Sequence, residues 1–165
     1  MLVDSSHLGH KRAAAFAIHR ALVPKKTTGT SIQASSTVLS LLQGPFLESP
    51  SSNQPCSQAS SRPRRALQTL ITLLLNAEPS PTFVTKLLSS LIAPLYRMSY
   101  DLSRFKTADP QLRESILSLL KSWGKIVDEN EGANVFWALS ANDNEGEWKF
   151  DAEGHMWKAP RQVNR

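Results

Sequence analysis

The sequence predicts an all-α fold, with helices laid against one another as antiparallel pairs and a small β-hairpin near the C-terminal end. Three observations predict it. Stretch after stretch places apolar residues at steps of three and four, the repeat of a single helix face. The links between these stretches are short, so consecutive helices fold back on each other. Twice a capping residue is followed by proline, at Ser80-Pro81 and Asp109-Pro110. Proline suits a first helical turn, because the N–H it lacks would be unpaired there.

Residues 7–23 contain good helix formers, with Ala14, Phe16, Ala17, Ala21 and Leu22 as a partial apolar face. Lys11, Arg12, Arg20, Lys25 and Lys26 stand against one early acid, Asp4. That balance has the flavour of a mitochondrial presequence, although an ordinary first helix explains the same residues. Ile32–Leu42 predicts a weaker helix, burying Ile32, Val38, Leu39, Leu41 and Leu42, which Gly44-Pro45 should end. Residues 1–47 thus read as a weakly patterned, basic helical region. Residues 48–62, rich in Ser, Pro and Gln, can bury almost nothing and read as a disordered linker. Ser49-Pro50 within it fits a proline-directed phosphorylation site, a dipeptide common by chance.

Residues 63–142 read as the main helical domain. A helix over 63–77 uses Leu67, Leu70, Ile71, Leu74 and Leu75. The next helix, led by Ser80-Pro81, carries Phe83, Leu87, Leu88, Leu91, Leu95, Met98, Leu102 and Phe105. Pro94 interrupts it, which predicts a kink near Ser90–Ala93 or two shorter helices. The clearest helix is Asp109–Val127. Leu112, Ile116, Leu119, Leu120, Trp123, Ile126 and Val127 share one face, while Gln111, Glu114, Ser118, Lys121 and Lys125 share the other. A short helix over Ala133–Ser140 follows an acidic turn. In the tail, 143–165, Trp148 and Phe150 alternate with Lys149, and Trp157 answers them across a Gly-containing turn, a hairpin pattern. Two strands alone are marginal in water, so the hairpin must lie on the helices or stay loose.

The whole reads either as a small irregular bundle or as stacked helix pairs, the unit of a HEAT/armadillo-like solenoid. The solenoid unit needs neighbours to cover both of its ends.

The net charge of the 165 residues is +5, unevenly spread. Residues 1–65 hold eight Lys/Arg and two Asp/Glu, a balance of +6, and the remainder eleven and twelve, a balance of −1. A basic arm attracts nucleic acid or anionic lipid; the plainer reading is a solvated arm. Cys56 is the only cysteine, so neither an intrachain disulfide nor a cysteine-rich zinc site is available. No apolar run reaches the roughly 20 residues of a membrane span.

No residue pattern declares a chemistry. The seven glycines form no phosphate-cradling loop, and no GxSxG elbow is present. His7 and His10, with His19 beyond, lack further ligands at metal-binding spacing, and His155 falls in a turn. Asp128, Glu129 and Glu131 precede a helix, where carboxylates are favoured electrostatically. Arg62, Arg64 and Arg65 are too few for a specific phosphate or nuclear-import site. Neither catalytic residues nor a cofactor or metal are therefore expected. Trp123 reads as core. Trp137, Trp148, Phe150 and Trp157 are the candidate protein-binding residues, as hairpin packing or as a patch for a neighbour.

The run LNAEPSPTFVTKLLSSLIAPLYRMSYDLSRFKTADPQLRESILSLLKSWGKIVDENEG, followed by EGEWKFDAEG, covers about residues 73–157. It resembles the fungal RNA polymerase II assembly factors of the transport-and-Golgi-organisation-six type. The resemblance rests on the PSP-led helix with LLSSLIAPLY, on ADPQLRESILSLLKSWGKIVD and on GEWKFD, none of them catalytic. Residues 1–60 depart from the family pattern. The resemblance implies an internal piece of a long HEAT-repeat solenoid, with no enzymatic activity. It also implies partners among RNA polymerase II subunits and assembly chaperones, and a cytoplasmic protein shuttling to the nucleus. The alternative expectation is an organelle-directed, mitochondrial or membrane-surface protein steered by the basic N-terminus.

Overall fold

A computed structural model describes residues 7–24, 29–47, 62–78, 80–104, 109–141, 147–150 and 156–159. The linker with Ser49-Pro50 and Cys56, the Phe105 position, the hairpin turn with His155 and the residues from Pro160 onward lie outside the described residues. The chain is mostly helical. The helices are α1 (Leu8–Leu22), α2 (Gly29–Leu47), α3 (Arg62–Asn76), α4 (Pro81–Leu88), α5 (Ile92–Arg104), α6 (Pro110–Gly124) and α7 (Glu129–Ala141), and two short strands follow, β1 (Glu147–Phe150) and β2 (Met156–Ala159).

The local signals that order the second half are the ones the sequence displays. Ser80 caps α4 by accepting from the Phe83 N–H, and Asp109 caps α6 by accepting from the Gln111 N–H at 2.9 Å, each with proline next in line. Pro94 offers no N–H to the Ser90 carbonyl, and a single 3-10 turn, Ser89–Leu91, separates α4 from α5. On α6, Leu112, Ile116, Leu119 and Trp123 are buried, and Gln111, Glu114, Ser118, Lys121 and Lys125 are exposed. The helix ends at Gly124, so Ile126 and Val127 belong to the following turn.

Three expectations for the first half need correction, the first being that Ile32 and Leu41, expected to be buried, are 59% and 72% exposed. Gly44-Pro45 does not end α2, which runs through it to Leu47. Tertiary contacts hold that last turn: Phe46 is fully buried, and the Gln43 amide donates to the Leu87 carbonyl at 3.1 Å. The apolar face of α1 is also rotated. Ala15, His19 and Leu22 are buried with Ile18 beside them, whereas Phe16 is 53% exposed. Steps of three and four are kept, but a histidine occupies an inward position.

Both helices join the core of the second half. α1 and α2 pack on each other and on α3, and α1 also meets α4. The Lys86 ammonium on α4 donates to the Leu22 carbonyl at the end of α1, at 3.1 Å. α3 lies against α6 and β2 as well, with Leu67, Leu70 and Leu73 buried, and Arg64 pairs with Asp109 at 3.0 Å. α6 folds back on α5. Among the described residues one cluster therefore runs from Ala15 and Leu22 through Leu70, Leu87 and Leu95 to Trp123 and Trp148, shared by both halves.

The strands pair antiparallel, Trp148 opposite Lys158 and Lys149 opposite Trp157. β1 docks on α5, where the Trp148 N–H donates to the Asp101 carboxylate at 2.9 Å.

Candidate protein-binding surface

The acidic turn builds one end of the molecule. Asp128 accepts from the N–H groups of Asn130 and Glu131, both at 2.9 Å, and so caps α7 a full turn before the predicted start at Ala133. The hydroxyl of Ser89, in the 3-10 turn, donates to the Glu131 carboxylate and accepts from the Trp123 indole N–H at 3.1 Å. The backbone irregularity that Pro94 imposes thus presents a hydroxyl that ties α6 to α7. These acids do structural work: one caps, one closes a strut.

α7 leans on α5 and keeps its other side outward. Phe136 is 64% and Trp137 78% exposed. Tyr96 and Tyr100, one turn apart on α5, are also exposed, and the Arg104 guanidinium lies over the Tyr100 ring at 5.9 Å. Ile126, in the turn before α7, adds a further exposed apolar side chain.

The four candidate residues do not form one platform. Trp137 is on this outward face. Trp148 is 1% exposed and part of the core, so of its two readings, hairpin packing and a patch for a neighbour, packing is the one its burial fits. Its strand docks on α5, where its backbone N–H meets the buried Asp101 carboxylate. Phe150 packs half-buried against the same core. Trp157 is placed by its backbone in β2, and its side chain lies outside what the structure describes. Trp123 is buried, as expected. Phe136, Tyr96 and Tyr100 were missed as surface candidates. For the two tyrosines the signal was present, since both fall off the Leu91, Leu95, Met98, Leu102 repeat, whereas Phe136 stands in step with Gly132 and Leu139 and gave none.

The remaining groups take structural positions. The His7 and His10 rings meet edge to face at 5.4 Å, and no group of three or more metal-ligating side chains occurs among the described residues. Arg64 is engaged by Asp109, while Arg62 and Arg65 are exposed. An open groove of about 400 Å³ lies between α2, α4 and α7, lined by Leu39, Gln43, Thr85, Lys86, Ser89, Ser90 and Glu131. Most of its polar side chains make bonds within the fold: the Gln43 amide N–H and Lys86 to backbone carbonyls, Thr85 to the Pro81 carbonyl, and Ser89 to Trp123 and Glu131. No helix among the described residues is long and apolar enough to cross a membrane. No protein-family model, no curated protein and no solved structure matches this chain.

Proposed function

We propose that this chain is a non-catalytic α-helical scaffold that binds another protein through the aromatic face of α5 and α7. The observation that carries the reading is the exposure of Phe136 and Trp137, beside a helix that exposes Tyr96 and Tyr100. Large exposed aromatics are the side chains from which interfaces draw most of their binding energy. Exposed acids at the start of α7, Asp128 and Glu129, supply a charged rim that sets orientation more than affinity.

The resemblance of residues 73–157 suggests which partners: subunits of RNA polymerase II and its assembly chaperones, in the cytoplasm with passage to the nucleus. In that reading α5 and α6 form a HEAT-like pair whose exposed end stacks against a neighbour. Affinity purification from cells tests it. Polymerase subunits should be recovered with the native chain and depleted with Phe136→Ala/Trp137→Ala, by about thirtyfold in affinity for an interface hot spot. Their absence from the native sample overturns the assignment to polymerase assembly. Equal recovery by the double variant overturns the face.

A further inference from the structure

The outward side of α1 carries a pattern that neither the core nor the aromatic face of α7 uses. Leu8, Arg12, Phe16 and Arg20 stand four residues apart, so they are stacked neighbours along one strip of the helix, apolar and cationic in alternation. All four are exposed, and between them lie only Gly9, Ala13 and Ala17 on that side. No carboxylate among the described residues pairs with Arg12 or Arg20. The sequence contains no Asp or Glu from Ser5 to Leu47, so neither α1 nor α2 carries an acid of its own.

We infer that this strip is a docking face for an anionic bilayer surface, used by the folded protein. Guanidinium groups meet the lipid phosphates and carboxylates, while Leu8 and Phe16 enter the boundary between headgroups and acyl chains. The geometry favours a bilayer over a peptide or a nucleic acid. The strip is a convex helix surface with isolated apolar side chains, and a bilayer admits each one separately without a shaped partner. Nucleic acid would use the arginines but leave Leu8 and Phe16 idle.

The inner side of the same helix fixes how it is used. Ala15 and Leu22 are fully buried and Lys86 holds the helix end, so α1 cannot be cleaved off as a leader without opening the core. The basic N-terminal helix therefore acts in place, and deletion of it is a folding lesion rather than a test of targeting.

The test uses the full chain and point variants on the exposed strip, in co-sedimentation with phosphatidylcholine vesicles with and without phosphatidylserine. Binding is expected only with phosphatidylserine, and weaker in high salt. Arg12→Gln and Arg20→Gln should each lower the affinity about fivefold. Phe16→Ala should lower it while leaving the salt dependence intact. Circular dichroism of all three should match the native chain, since none of these side chains is buried. Equal binding to neutral vesicles, no binding to either kind, or variants indistinguishable from the native chain overturns the proposal. So does displacement by an oligonucleotide together with indifference to Phe16→Ala, which would make the strip a plain polyanion site.

Discussion

The α1–α2 pair and the α5–α6 pair are both helical hairpins on one core, yet they are stabilised differently. In α5–α6 the instructions are local. Asp109-Pro110 starts the second helix, Pro94 marks the break before the first, and the buried face of α6 is wholly apolar through Leu112, Ile116, Leu119 and Trp123. In α1–α2 the instructions come from elsewhere. His7 makes no side-chain cap, a proline lies within α2, and both helices are held by groups on α4: Lys86 on the Leu22 carbonyl and the Leu87 carbonyl on Gln43. A hairpin specified locally can tolerate loss of a neighbour; one specified by its neighbour cannot.

The largest effect is expected where the apolar face is most continuous. Leu119→Asp places a charge at a site 2% exposed, with no partner, and should cost roughly 4 kcal/mol or more, enough to unfold the domain. Lys121→Ala, on the exposed side of the same turn, should change stability by no more than about 0.5 kcal/mol. Urea melts followed by circular dichroism distinguish them, and equal midpoints would mean that α6 is rotated from its assigned face.

The next variant asks whether the first pair shares that core. Leu22→Ala leaves a cavity where α1 meets the rest of the bundle and should cost about 2–5 kcal/mol. The melt should remain a single transition at a lower midpoint. A separate early phase, with the main transition unmoved, would make α1–α2 an independent unit.

The same contrast governs what could be read from the residues. Caps and the proline break were legible because they are bonds between near neighbours: Ser80 to Phe83, Asp109 to Gln111, Pro94 against Ser90. The course of α2 through Pro45 was not, because Phe46 and Gln43 find their partners outside the helix. Nor was the inward face of α1, since periodicity gives the step but the partner surface gives the phase. Trp137 and Trp148 make the point within the candidate site. Eleven positions apart and alike in the sequence, one is exposed and the other buried. Trp148 lies on the strand that docks on α5, where its backbone N–H meets the Asp101 carboxylate, and Trp137 lies on the outward side of α7.

The smallest effect sharpens the comparison most. His19 holds the inward position on α1 that leucine or isoleucine holds on α6. The residue is 9% exposed, its ring lies 4.9 Å from the Phe83 ring, and neither buried ring nitrogen has a hydrogen-bond partner. A buried polar group left unpaired costs free energy that an apolar side chain of similar size does not. His19→Leu forfeits the ring contact with Phe83 but removes that penalty, for a net gain of about 1 kcal/mol. For a chain of this size the midpoint of thermal unfolding should rise by about 2–4 °C. A fall instead would show that the imidazole stabilises α1 through a partner gained in solution, such as an ordered water. The first hairpin would then owe its stability to a polar contact that the second has no need of.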